Sequence, residues 1–185
     1  MSQKLPFISR AGLKLEHALA AFGIDAAGLI CADLGCNAGG FTDCLLQRRA
    51  ARVYAIDTGY GALDWKLRTD PRVVVMERTN AMHVELTEKV ALVVIDVAWT
   101  RQRHILPSAL RMLQANGRVI TLIKPHYEAP AAELRKGVLI PQALDEVLQH
   151  VDADIAAAGF RKLNTVPSPI KGAKGNLEYL ALLAV

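Results

Sequence analysis

No apolar run in the 185 residues is long enough to cross a bilayer. VALVVI (90–95) and LALLAV (180–185) are strand-length, whereas a membrane helix needs about 20 consecutive apolar residues. The first residues, Met1, Ser2, Gln3 and Lys4 followed by Pro6, carry no signal-peptide apolar region, so a cytoplasmic protein is expected. Cysteine is scarce as well. Cys31, Cys36 and Cys44 form no C-x-x-C pair, and their odd number argues against a zinc site and for a reducing compartment. Scattered histidines add no metal-ligand spacing, so no metal is expected. Repeats, low-complexity tracts and linkers are missing too, and the length suits one core but not two. A single domain over 1–185 is the expectation.

What is present is a globular composition, 52% hydrophobic and 22% charged. The net charge of +4 permits a polyanionic partner without requiring one. Its distribution says more: Arg10/Lys14, Arg48/Arg49/Arg52, Arg101/Arg103, Arg135/Lys136 and Lys171/Lys174 fall near the ends of predicted elements, where a binding face gathers them.

Strands are predicted at 29–35, 52–57, 72–77, 90–97, 117–124, 160–166 and 177–184. Several are continuous Val/Ile/Leu runs, the mark of strands covered on both faces. Helical patterns separate them. Ser9 caps a first helix with an apolar stripe of Leu15, Leu19 and Phe22. Another follows Pro141, with Leu144, Val147, Leu148, Val151 and Ile155 at helical spacing and Gly159 closing it. This alternation predicts a doubly wound α/β fold with helices on both faces of the sheet. The last two strands have no helix-length segment between them, so they pair antiparallel. The expected sheet has seven strands, mostly parallel, with one reversed.

The first strand ends in DLGCNAGGFTD (33–43). Gly35, Gly39 and Gly40 let the backbone turn sharply and approach a ligand before a helix that starts near Phe41. The spacing is not G-x-G-x-x-G, which disfavours a nicotinamide dehydrogenase. The loop leaves room for a nucleoside bearing an amino-acid end, with Asp33 to receive the ammonium. Asp57, closing the second strand, is placed for both ribose hydroxyls, and Asn80 after the third for an adenine edge. A plain tight turn, and an Asn that merely shapes a turn, remain open.

Two charges interrupt apolar strands. Asp96 ends the fourth and Lys124 the fifth, at the carboxyl ends where ligands bind. They should face one another, as a catalytic couple or as a structural ion pair. Arg10, Lys14 and His17 share one face of the first helix, and Glu178 opens the last strand after SPIKGAKGN (168–176). Taken alone, Lys14 reads as a solvated lysine and Glu178 as a strand-edge carboxylate.

The stretches SRAGLKLEHALAAFGID, DLGCNAGGFTDCLLQR, AIDTGYGALDWKLRTDPRVVVMERTNA, VVIDV, LIKPHYE and SPIKGAKGNLEYL resemble the FtsJ-like methyltransferase domain of the TlyA (hemolysin A) family over nearly the whole chain. The resemblance implies a Rossmann-like class I methyltransferase that uses S-adenosylmethionine to methylate ribose 2′-hydroxyls of RNA, ribosomal RNA or ribosomal subunits above all. It places a Lys-Asp-Lys-Glu tetrad on Lys14, Asp96, Lys124 and Glu178. Cofactor contacts fall on Asp33, Gly35, Asn37, Gly39, Gly40, Phe41, Asp57, Asn80 and Asp96. Lys124 is then the proton acceptor and must be neutral to act, a form that partial desolvation and a cation such as Lys14 favour. Asp96 orients Lys124, and Glu178 holds Lys14 or the ribose.

Three departures from the family stand out. Members usually carry an N-terminal S4-type RNA-binding domain, whereas this sequence begins at the methyltransferase domain, so altered targeting or a separate RNA-targeting partner is expected. Cys36-Asn37-Ala38 replaces smaller or hydroxylated residues, and AWTRQRHILP (98–107) replaces a Ser-Phe-containing stretch. Trp99 is a candidate for stacking on a base, while Tyr60 and Trp65 are expected to pack near the nucleoside pocket. A noncatalytic RNA- or ribosome-binding module that retains the fold is the alternative. A membrane-active cytolysin is disfavoured, because no spanning or strongly amphipathic segment is present.

Overall fold

The computed structural model describes residues 5–185, so the polar start Met1–Lys4 lies outside the described residues. Its strands are β1 (Ile30–Leu34), β2 (Arg52–Ile56), β3 (Val73–Met76), β4 (Val90–Ile95), β5 (Leu113–Ile123), β6 (Leu134–Arg135), β7 (Val138–Leu139), β8 (Arg161–Pro167) and β9 (Tyr179–Ala184). The helices are α1 (Ala11–Phe22), α2 (Gly40–Gln47), α3 (Trp65–Arg68), α4 (Gln102–Met112), α5 (Pro125–Glu128) and α6 (Leu144–Ala157). Seven strands form one sheet in the order β3-β2-β1-β4-β5-β9-β8, and β6 pairs with β7. The first five members run parallel, and β9 is antiparallel to both its neighbours.

The period of two in the strands decides the layers. Cys31, Val53, Leu92, Val94 and Ile120 point to the face covered by Leu15 and Leu19 of α1 and by Phe41 and Leu45 of α2. Ala32, Leu34, Ile56, Val93, Ile95 and Val119 point to the other, under Ile105 and Leu106 of α4 and Val151 and Ile155 of α6. Each fully buried Leu, Ile or Val contributes about 1.5–3 kcal/mol. That double cover is why the strands read as continuous apolar runs.

Some local details differ from expectation. Helix α1 begins at Ala11 with Arg10 before it, although the Ser9 hydroxyl still accepts the Ala11 N–H at 3.3 Å. Strand β5 starts four residues earlier than predicted, at Leu113, directly after α4. The β6–β7 hairpin was not anticipated. Lys136 and Gly137 turn it with φ of 53° and 80°, the left-handed pair that tight hairpin turns require.

Two glycines bring the layers into contact where the site forms. At Gly40 a Cβ would lie 2.2 Å from Ser9 Oγ and 2.9 Å from Ala11 Cβ, so only hydrogen lets α1 settle against α2. At Gly35, with φ of 86°, a Cβ would lie 2.6 Å from the Asp96 carbonyl oxygen, so the turns after β1 and β4 touch.

Candidate active site

Adjacent parallel strands end at the same level, so the chain leaving β4 and β5 delivers Asp96 and Lys124 side by side above the sheet. Lys124 Nζ lies 2.6 Å from Asp96 Oδ1 and donates to the Val97 carbonyl at 3.0 Å. From opposite sides, α1 brings Lys14 and the residue before β9 brings Glu178, with Lys14 Nζ 2.5 Å from Glu178 Oε2. The side chains of the first couple are 12% and 17% exposed, and those of the second 11% and 4%. Gly172 closes over Glu178, since a Cβ there would sit 2.1 Å from Oε1. All four charges line one cavity of about 390 Å³.

A second cavity of about 270 Å³ adjoins it and shares Gly35, Asn37, Asp96 and Ala98 with the first. Asp57 and Asn80 line its far side. Asp57 accepts the Gly59 N–H at 2.7 Å on one oxygen and the Asn37 N–H at 2.9 Å on the other, which fixes the carboxylate. Asn80 Oδ1 accepts the Met82 N–H at 2.9 Å. Asn80 therefore shapes a turn and also faces the cavity, with Nδ2 as its remaining donor.

Only part of the expected cofactor loop faces these cavities. Asn37 and Gly35 line both cavities and Phe41 lines the first, but Asp33, Gly39 and Gly40 line neither. Gly39, at φ of 100°, is small because Leu67 Cδ1 would lie 2.1 Å from a Cβ; Gly40 is small to admit α1. Asp33 is fully buried beneath the loop, where one oxygen accepts the Thr42 hydroxyl at 2.7 Å and the other has no partner. Burial pushes its carboxyl up to about 7. The orphaned oxygen is a place for a water or an ammonium under the loop.

Other expectations also shift. His17 is exposed and outside the cavity that Arg10 and Lys14 line. Tyr60 and Trp65 are 71% and 73% exposed and line neither cavity; Arg78 lies 4.2 Å above the Tyr60 ring. Trp99 does stand at the mouth, 84% exposed, its ring centroid 4.9 Å from that of Tyr127. Sequence reasoning gave His126 and Tyr127 no part in the site, yet they line the cavity of the tetrad, as do Cys36 of the glycine loop and Lys171 of the basic pairs. The one available signal for those two was that they lie two and three positions after Lys124.

Among the described residues no helix is long and apolar enough to cross a membrane. The family model for FtsJ-like methyltransferases matches residues 7–184. Hemolysin A of Brachyspira hyodysenteriae is 41% identical over 97% of this chain and 77% of its own length. The 16S/23S rRNA (cytidine-2′-O)-methyltransferase TlyA of Mycobacterium tuberculosis is 37% identical over 96% of this chain and 68% of its own. A solved structure of a proposed hemolysin from Streptococcus thermophilus superposes with a TM-score of 0.95 at 39% identity, covering 99% of this chain and 68% of that one. With the tetrad assembled over one cavity and a carboxylate-edged cavity beside it, the chain belongs to the FtsJ-like methyltransferase family.

Proposed function

We propose that residues 1–185 form a single-domain, S-adenosylmethionine-dependent methyltransferase that modifies a ribose 2′-hydroxyl of ribosomal RNA in the cytoplasm. The observation that carries this reading is the pair of crossed lysine–carboxylate couples over one cavity, joined to a second cavity edged by Asp57 and Asn80. Together the cavities have the size and polarity of a small-ligand site. The residues present fit the cofactor: Asp57 suits ribose hydroxyls, Asn80 an adenine edge, the turn from Gly35 to Phe41 the amino-acid end, and Asp96 a cationic centre. Asp33, with its orphaned oxygen beneath the loop, offers an acceptor toward the ammonium. When bound, S-adenosylmethionine supplies an electrophilic methyl group.

The chain supplies the rest. Lys124 accepts the hydroxyl proton, held in place by Asp96 and the Val97 carbonyl. Glu178 anchors Lys14, which positions the ribose and its developing charge. Arg10 and Lys171 line the same cavity and suit neighbouring phosphates. Trp99 offers an exposed ring to the target base. The test is incubation of ribosomal subunits and naked ribosomal RNA with methyl-labelled S-adenosylmethionine, followed by mapping of the label. A ribose 2′-oxygen is the expected position; RNA binding with no transfer would point instead to a noncatalytic module.

A further inference from the structure

We infer that the β6–β7 hairpin and the 168–176 loop form a cationic ridge that grips the RNA sugar–phosphate backbone beside the methylated ribose, an inference that rests on the function proposed above. The hairpin stands apart from the seven-stranded sheet. Its strands pair Leu134 with Leu139 and Arg135 with Val138. Leu134 and Leu139 pack on the cluster of Ala129, Ala143 and Val147, so the period of two turns Arg135 to the outer face.

One buried amide joins hairpin and loop. Asn176, 3% exposed, donates from Nδ2 to the Gly137 carbonyl at 2.9 Å and the Ala173 carbonyl at 3.0 Å, and its Oδ1 accepts the Leu139 N–H at 3.2 Å. Both of its donor hydrogens and its oxygen are in use, so the two segments are fixed as one unit. Across the hairpin turn, Lys174 Nζ donates to the Lys136 carbonyl at 3.1 Å. A Cβ at Gly137 would lie 2.8 Å from that nitrogen, so the glycine makes room for the lysine to cross.

The unit is built for a polyanion. Lys136 and Lys174 both hold left-handed backbone, with φ of 53° and 56°, where glycine or asparagine sits at less cost. A lysine at each position keeps a charge there in spite of the strain. Arg135, Lys136, Lys171 and Lys174 are all exposed, and among the described residues none of them pairs with a carboxylate. The ridge also leads into the site, because Lys171, Gly172 and Ala173 line the tetrad cavity and Lys174 is the next residue. Unpaired cations running outward from the cavity proposed for the ribose match the phosphates of the strand that carries it.

Lys136→Gln/Lys174→Gln is compared with Lys89→Gln/Arg111→Gln, which removes the same charge at the amino ends of β4 and β5, opposite the site. Binding to naked ribosomal RNA and to ribosomal subunits is titrated from about 50 to 200 mM salt. The ridge variant should bind naked RNA at least about tenfold more weakly, with the slope of log affinity on log salt shallower by about 2, one for each phosphate released. The control should keep the wild-type affinity and slope. Calorimetry should return the wild-type affinity for S-adenosylmethionine in both. Lys136→Gly relieves the left-handed backbone, so it keeps the fold, and should lose about 1 from the slope. An unchanged slope in either ridge variant, an equal loss in the control, or a parallel loss of cofactor binding would each overturn the ridge. So would a loss seen with subunits but not with naked RNA, which would make a ribosomal protein the partner. A wild type that binds no RNA, in contrast, overturns the proposed function itself.

Discussion

Removing one member of the Lys14–Glu178 pair should cost much more than its share of the loss when both are removed. Their side chains are 11% and 4% exposed, so water screens neither charge well. Lys14→Met leaves a buried carboxylate, and Glu178→Gln leaves a buried ammonium beside a neutral amide; both keep the side-chain volume over which Gly172 closes. Breaking a buried pair from one side typically costs about 3–5 kcal/mol, while replacing both charges is often near neutral. The glutamine still accepts a hydrogen bond, so its cost belongs at the low end. Each single variant should therefore lose about 3 kcal/mol, a large part of a domain's usual 5–15 kcal/mol. The double variant should lose at least about 2 kcal/mol less than the sum of the singles. Urea unfolding with unchanged m values measures all four corners of the cycle. Lys162→Ala, which breaks an exposed pair with Asp152 at 33% and 45% exposure, is the control and should cost about 0–1 kcal/mol. Additive losses, or single losses as small as the control, would refute the reasoning and leave α1 held by its apolar stripe alone.

Stability should also depend on pH through Asp33 and Glu128, both of which burial pushes up to about 7. The folded chain keeps these protons up to about pH 7, whereas the unfolded chain releases them near pH 4. Between those limits the folded state binds more protons, so stability falls as pH rises, by at most about 1.4 kcal/mol per unit for each group. Asp33→Asn should flatten its part of that slope in urea titrations, and an unchanged slope would contradict the assignment. Gly40→Ala forces a Cβ to 2.2 Å from Ser9 Oγ and 2.9 Å from Ala11 Cβ. It should cost about 1–3 kcal/mol by overpacking, and a neutral melt would show that α1 yields without penalty. Trp99→Ala, at an 84% exposed position, should leave stability within about 0.5 kcal/mol. It should weaken RNA binding by about 1–3 kcal/mol, and unchanged RNA affinity would remove the stacking role.

The sheet was legible because burial on both faces writes nearly continuous apolar runs into β4 and the second half of β5. Asp96 and Lys124 were legible for the same reason, as charges that interrupt such runs. Lys14 and Glu178 were not. They meet across 164 residues of chain, and no local pattern records a long-range pair. Resemblance supplied them, and the coordinates bring their side chains into contact. The glycine loop was half legible: a sharp turn can be read from Gly35 and Gly39, but not whether a missing Cβ makes room for a ligand or for Leu67. Tyr60 and Trp65 misled because aromatic residues next to a nucleoside motif suggest packing, whereas both point to solvent.

Lys124→Ala, assayed side by side with the wild type, tests the central claim most directly. Labelled S-adenosylmethionine and ribosomal subunits report transfer, and calorimetry reports cofactor binding. The wild type should place label on a ribose 2′-oxygen, and Lys124→Ala should bind the cofactor equally while transferring at least about a hundredfold more slowly. Undiminished transfer by Lys124→Ala would contradict the account.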